Sequence, residues 1–280
     1  MPASSLPPSD RFTVLRASAR VWAVAAVHGE AERLVGLHDA LADRLRPGDR
    51  LVYLGNYTGF GSYALECLDE LVRFRRWFLS FPPYQSPDDV VFLRGQQEEI
   101  WAKLLQLQFA ADPKSILRWM LQRGLEPTLE AMGTSAGAGM LAASEGTLAV
   151  TYWTNRLREA ARTVPGFDPL MLSLKRAAYT DDGAMLFVHA GLDVEKPLTQ
   201  QTDAFWWAAK SFAEIDAPYR GFEHMVRGYD PDAAARAEAG DHDIREGEFT
   251  LSLDTGCGRG GPLTAACLSP DGDLIETLSV

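Results

Sequence analysis

Short continuous apolar runs recur along the chain, several closing at or near a glycine. They cover residues 21–27 before His28-Gly29, 51–54 before Gly55, 90–93 before Arg94-Gly95, and 185–188 before His189-Ala190-Gly191. Unbroken rather than alternating apolarity fits strands buried on both faces. Between them lie patterns of helical period at 31–44, 63–79, 98–108 and 114–122. Residues 117–161 read as mainly helical, with breaks near Gly124 and across the stretch MGTSAGAG. Strands are expected again at 249–253 and 263–268, and DAAARAEAGDHD reads as a surface helix and loop. Strand, short loop and helix in alternation is an α/β pattern. Glycines after strand ends allow tight turns, so His28, Asn56, Gln96-Gln97 and His189 are expected to meet at the carboxyl edge of a sheet.

Composition narrows the partners. The 280 residues carry a net charge of −11, which argues against a nucleic-acid backbone or an anionic membrane as partner. Three cysteines (Cys67, Cys257, Cys267) without paired spacing point to a reducing compartment, with Cys257 and Cys267 as small buried apolar residues. The Pro-rich start MPASSLPPSDRF has no leader pattern, and no apolar run is long enough to span a bilayer. A cytoplasmic protein is expected, with a flexible segment at 1–12 and a single domain over 13–280 that includes a mainly helical insertion at about 100–165.

The order of the glycine-bounded stretches resembles the calcineurin-like metallophosphoesterases, in the branch of phosphoprotein phosphatases and diadenosine tetraphosphatases. That family carries GDxHG, GDxVDRG, GNHE, HAG, GHTP and a late DTG. Here AAVHGE (25–30), LGNYTGFG (54–61), LRGQQEE (93–99), FVHAGLD (187–193), VRGYDP (226–231) and LDTG (253–256) occupy those places. The stretch WMLQRGLEPTLEAMG (119–133) resembles the family's WLxNGGxxTLxSYG, so the likeness runs from about residue 21 to 268. It implies a four-layer α/β sandwich, two mixed β-sheets flanked by helices.

The chemistry implied by the resemblance is largely missing. The family holds two metal ions with Asp, His, a bridging Asp, Asn and two further His. Those positions carry Ala26, His28, Asn56, Gln96, His189 and Tyr229. The catalytic acid His and its partner Asp correspond to Gln97 and Gly59, and the two phosphate-binding Arg to Phe60 and Ala209. Two dications about 3.5–4 Å apart repel by about 15–20 kcal/mol at an effective dielectric of about 20. Ala26 and Asn56 supply none of the negative charge that offsets this. Without the metals, water keeps a high pKa, and without a histidine at position 97 no group protonates the leaving alkoxide. Neutral side chains at these places also avoid the carboxylate repulsion of an emptied acidic site.

The expectation is therefore a catalytically inactive pseudophosphatase that binds a protein or small ligand at the cleft rim, without cofactor. The alternative is a phosphoesterase with an altered centre, one weakly bound Mn, Fe or Zn held through His28, His189 and Tyr229. Each residue also has an ordinary role open to it. The histidines can be hydrogen-bonded pocket groups, and Tyr229 and Phe60 can fill vacated space. Asp230 and Asp193 stand near motif ends as substitute carboxylates in shifted positions. One of Trp206 and Trp207 is expected in the core. His38, His224 and His242 fit no ligand spacing, and Arg94 is the cation expected closest to the site.

Overall fold

A computed structural model describes residues 10–16, 18–80 and 86–280. Residues 1–9 of the expected N-terminal segment lie outside this set, and Phe12 opens a strand, β1 (Phe12–Leu15). Three of the apolar runs form parallel strands, β2 (Val21–Val24), β3 (Arg50–Tyr53) and β4 (Val90–Phe92). Helix α1 (Ala31–Ala42) joins the first two and α2 (Ala64–Leu79) the second pair. Antiparallel strands β10 (Thr264–Leu268) and β11 (Leu274–Ser279) complete the sheet in the order β11-β10-β2-β3-β4.

The second sheet has the order β1-β5-β6-β7-β9-β8. Its further members are β5 (Ala177–Thr180), β6 (Met185–Val188), β7 (His224–Arg227), β8 (Arg245–Glu246) and β9 (Thr250–Ser252). Both sheets mix parallel and antiparallel pairs.

Side chains alternate between the faces of a strand, and the cores follow that period. Val21, Ala23, Val52 and Val91 pack with Met185, Phe187, Val226 and Leu251 between the sheets. Trp22, Val24, Leu51, Tyr53 and Phe92 face the other way, into α1, α2 and the helices that follow. Tyr179, Leu186, Val188 and Met225 pack outward against Phe205, Trp206 and Phe212. These last come from two short helices, α9 (Ala204–Trp207) and α10 (Ala209–Phe212). The layers are helix, sheet, sheet, helix, the sandwich that the resemblance implied.

The expected run of helices is present as α3 (Gln96–Leu104), α4 (Pro113–Leu121), α5 (Glu126–Ala131), α6 (Ala136–Glu145), α7 (Thr147–Thr163) and α8 (Phe167–Ser173). The glycine-rich stretch is more helical than expected, because Ser135 caps α6 by accepting from the Ala138 amide at 3.2 Å. The surface helix is α11 (Ala233–Glu238). Of the tryptophan pair, Trp206 is buried and Trp207 half-buried. Among the described residues, no helix is long and apolar enough to cross a membrane.

Candidate functional site

The strand ends converge as the glycine spacing required. Val27 and His28 donate their amides to the Asn56 carbonyl at 3.0 and 2.7 Å. Ala26 donates to Gly228 at 2.9 Å, and Gly228 and Tyr229 both donate to the His189 carbonyl at 3.1 and 3.0 Å. The loops after β2, β3, β6 and β7 are thereby tied into one floor. His28 and Asn56 adopt left-handed backbone, with φ of 55° and 56°. Such strain gathers at functional loops and persists only where the surroundings enforce it.

The enforcing group is Glu98, in the first turn of α3. Its buried carboxylate accepts from the amides of Asn56 (3.0 Å), Tyr57 (2.9 Å) and Gly95 (2.8 Å). Burial raises its pKa, and those same amides hold it down. This carboxylate locks the β3 loop to the start of α3. The helix begins at Gln96 rather than Glu98, so Gln96 and Gln97 occupy its first turn and face the floor.

Asn56 Oδ1, the NH2 groups of Gln96 and Gln97, and His189 Nδ1 each bond to backbone. Asn56 Oδ1 accepts from the Gln97 amide at 2.9 Å, which turns its Nδ2 toward His28 Nε2 at 3.4 Å. Gln96 Nε2 donates to the Trp206 carbonyl at 2.7 Å, and Gln97 Nε2 to the Arg123 carbonyl at 2.6 Å. His189 Nδ1 donates to the Leu54 carbonyl at 2.6 Å, leaving its Nε2 lone pair buried and unpartnered. His28 Nδ1 is unpartnered too. Burial lowers both imidazoles, His28 to about 3 with help from His189 and Arg259, and His189 to about 4. Both are neutral near pH 7.

Aromatic side chains fill the remaining space. Tyr229 lies parallel to His189 and edge-on to His28, and Phe60 lies against His28 with centroids 5.2 Å apart. A Cβ on Gly59 would sit 2.7 Å from His28 Nδ1, so no longer residue fits there without moving that ring. Ala26 is fully buried, and Ala209 presents its carbonyl to Arg227 Nη1 at 2.8 Å. The shifted carboxylates are engaged elsewhere. Asp230 pairs with Arg227 and Arg236 at 2.8 and 2.9 Å, and Asp193 with Lys196 at 2.7 Å. Asp254 of the late motif is pushed up to about 6 by burial, although it accepts from the Asp230 and Gly256 amides.

These residues do not fit a pair of metal ions. Among the described residues, no three His, Cys, Asp or Glu side chains stand together as a ligand set. One imidazole lone pair, on His189, is free; that on His28 faces an amide NH2. Turning Asn56 over to present oxygen to an ion at His28 would break its bond to the Gln97 amide.

Two cations at the mouth have no counterpart in the expected set. Arg94, the expected one, pairs with Glu99 at 3.2 Å. Instead the Arg259 guanidinium lies 3.9 Å above the Phe60 ring, and Arg123 lies 4.2 Å above Trp119. Gly124 also packs on Phe60, where a Cβ would approach the ring to 2.7 Å. Both guanidiniums act on the Tyr229 phenol, whose pKa burial raises and they lower. Among the described residues neither has a carboxylate partner. Arg259 stands three residues after the DTG motif, and Arg123 stands within WMLQRG, where the family's stretch has a glycine.

No family model matches the chain, and no curated protein matches it. Solved structures do. A structure described as a candidate diadenosine tetraphosphatase superposes with a TM-score of 0.56 at 18% identity, over 96% of this chain and 97% of that one. A cold-active protein-tyrosine phosphatase from a psychrophilic Shewanella gives 0.51 at 13% identity, over 99% and 84%. At such identities the likeness is one of fold. The chain shares its fold with these phosphatases, the calcineurin-like fold that the resemblance implied.

Proposed function

We propose that this chain is a pseudophosphatase, a binding or regulatory module on a phosphoesterase frame. The commitment of Asn56, Gln96 and Gln97 carries the reading. Their amides serve the fold as hydrogen-bond partners of backbone, and no carboxylate joins the two neutral histidines. A hydrolytic centre needs an activated water, an acid for the leaving group and cations on the phosphoryl oxygens. The first two have no residue here. The third survives in altered form as Arg123 and Arg259. The rim they make with Phe60 and Trp119 suits a ligand with an anionic group and a flat apolar face. The free buried thiols fit a reducing compartment, and the cytoplasm is proposed on that ground.

A second reading has one observation in its favour, the unpartnered Nε2 of buried His189. It would make the chain a phosphoesterase with one weakly held Mn, Fe or Zn. Elemental analysis of protein purified without added metal salts decides between them, together with turnover of p-nitrophenyl phosphate and diadenosine tetraphosphate. Substoichiometric metal and no turnover support the first reading. Stoichiometric metal and an activity abolished by His28→Ala support the second.

A further inference from the structure

The N-terminal turns of α1 and α2 stand side by side, and the turn after α7 closes one side of the trough between them. This trough has a volume of about 870 Å3 and is lined by Ala31, Val35, Tyr63, Leu65, Val164 and Pro165, with carboxylates at its edge. None of the residues at the degenerate ligand positions lines it. Tyr63 is 50% exposed and Val35 36%, so apolar surface that a helix pair would ordinarily bury stays open to water.

Its lining also carries Glu32, Glu66, Asp69 and the buried Glu70, and no lysine or arginine lines it. The Glu70 carboxylate is already taken, by His38 Nδ1 at 2.5 Å and by Arg73 Nε at 2.7 Å. Glu32, Glu66 and Asp69 are exposed and, among the described residues, have no ion pair. Glu32 and Glu66 each complement the positive end of their helix. Asp69 has no such role. It stands three residues from Glu66 on one helical face, where like charges repel. The fold gains nothing from that repulsion, and a cation laid across the trough would relieve it.

We propose that this trough is a docking site for a segment of a partner protein that presents one or two large apolar side chains flanked by lysine or arginine. The apolar floor would take the anchor side chains, and Glu32, Glu66 and Asp69 would pair with the flanking cations. The shape, a groove between two helices, suits a peptide segment. Charge complementarity selects a basic one, and a second copy of this chain, at net charge −11, is a poor occupant. The inference rests on the reading of the chain as a binding module only in supposing a protein partner.

The test is fluorescence polarisation on the full chain with a labelled peptide alternating Lys or Arg with Leu and Phe. The control peptide has Glu in place of each basic residue. Saturable binding of the basic peptide alone is expected, weakened by added salt and by at least about tenfold in a Glu66→Lys/Asp69→Lys variant, a change of about 1.4 kcal/mol. Tyr63→Ala should weaken it at every salt concentration, and Glu238→Lys, away from the trough, should not. Circular dichroism and melting confirm that the variants fold. Equal binding of the acidic peptide, or affinity unchanged by the double charge reversal, overturns the proposal. A dimer in sedimentation that Tyr63→Ala dissolves overturns it in favour of self-association. Metal content and turnover are measured on the same preparation. An active metalloenzyme that still binds the basic peptide leaves the docking site standing and removes only the pseudophosphatase reading.

Discussion

The imidazole of His189 and the phenol of Tyr229 lie face to face, 6° from parallel with centroids 5.4 Å apart. By the resemblance, Tyr229 stands where a second metal-binding imidazole belongs. It now covers a histidine with an aromatic face. The stacking is backed by the main chain, since the Tyr229 amide donates to the His189 carbonyl. The exchange therefore fits the existing loop without rearranging it.

Restoring the ligands tests this relation. Ala26→Asp, Asn56→Asp, Gln96→Asn, Gln97→His and Tyr229→His together are expected to bring stoichiometric metal, read by elemental analysis. Tyr229→His alone should bring none, because no carboxylate is regained to offset the charge of the ions. Asn56→Asp is tolerated in this set, as its Oδ1 still accepts from the backbone N–H at position 97, which Gln97→His leaves in place. Gly59 has to stay, given the approach of a Cβ there to His28. Metal in the single variant, or none in the fivefold one, would contradict the assignment of these positions.

Glu98 is the residue on which the floor's geometry depends. Glu98→Ala leaves the amides of Asn56, Tyr57 and Gly95 without an acceptor, at about 1–3 kcal/mol for a buried unpaired group. A loss of at least about 3 kcal/mol is expected in urea denaturation. Glu98→Gln keeps one oxygen and turns an NH2 toward the other amides, so an intermediate loss is expected. If both variants match the parent, the floor has another lock.

Much of this was legible in the sequence. The apolar runs gave β2, β3, β4 and β6, and the glycines after them marked where loops converge. The edge strands β8 and β11 were not legible. Leu274–Ser279 is half-buried to exposed, with Glu276 and two hydroxyl residues, so it carries no continuous apolar run. Strands β5 and β7 were hidden for another reason: Ala177–Thr180 and His224–Arg227 are too short and too mixed to register. At the site, motif order alone named the residues that the structure brings together at the strand ends, His28, Asn56, Gln96, Gln97, His189 and Tyr229. Glu98 could not be singled out from its neighbour Glu99, because burial separates them and the sequence shows only two adjacent carboxylates. Arg123 and Arg259 needed the fold, since they approach the cleft from segments about 60 residues or more from Phe60 in the chain.

The buried histidines set a pH dependence whose sign can be worked out. Each has a folded pKa below the usual 6.5, about 4 for His189 and about 3 for His28. Below pH 6.5 the unfolded chain takes up protons that the folded chain refuses, so their stabilisation is present above that pH. It is lost progressively as pH falls toward those folded values. Asp254, raised to about 6, acts oppositely and loses stability as pH rises from the usual carboxylate range through 6. The two histidines together outweigh Asp254, so their joint contribution to stability is expected to fall from pH 7 to pH 5, with Glu98, also raised by burial, opposing that fall. His189→Asn keeps a donor for the Leu54 carbonyl and removes the proton site. It should flatten that slope, by an amount on the order of 2 kcal/mol. Parallel pH profiles of parent and variant in urea denaturation would reject the idea.

The last expectation concerns the rim. A guanidinium with no carboxylate partner, held over an aromatic ring, keeps its donors free for an anion. Arg259 over Phe60 meets that description, and Arg123 over Trp119 is brought near Phe60 by its neighbour Gly124, which packs on that ring. Orthophosphate or a nucleoside monophosphate is therefore expected to raise the melting temperature, more so for the nucleotide if its base stacks on the exposed aromatic surface. The shift should vanish in Arg123→Ala/Arg259→Ala and persist in Arg94→Ala, whose parent residue already pairs with Glu99. It should also persist with a metal chelator present, because the guanidiniums and not an ion would hold the anion. Stabilisation that the chelator removes would transfer the role back to a metal at His189. Stabilisation indifferent to both arginines would place the ligand away from this rim.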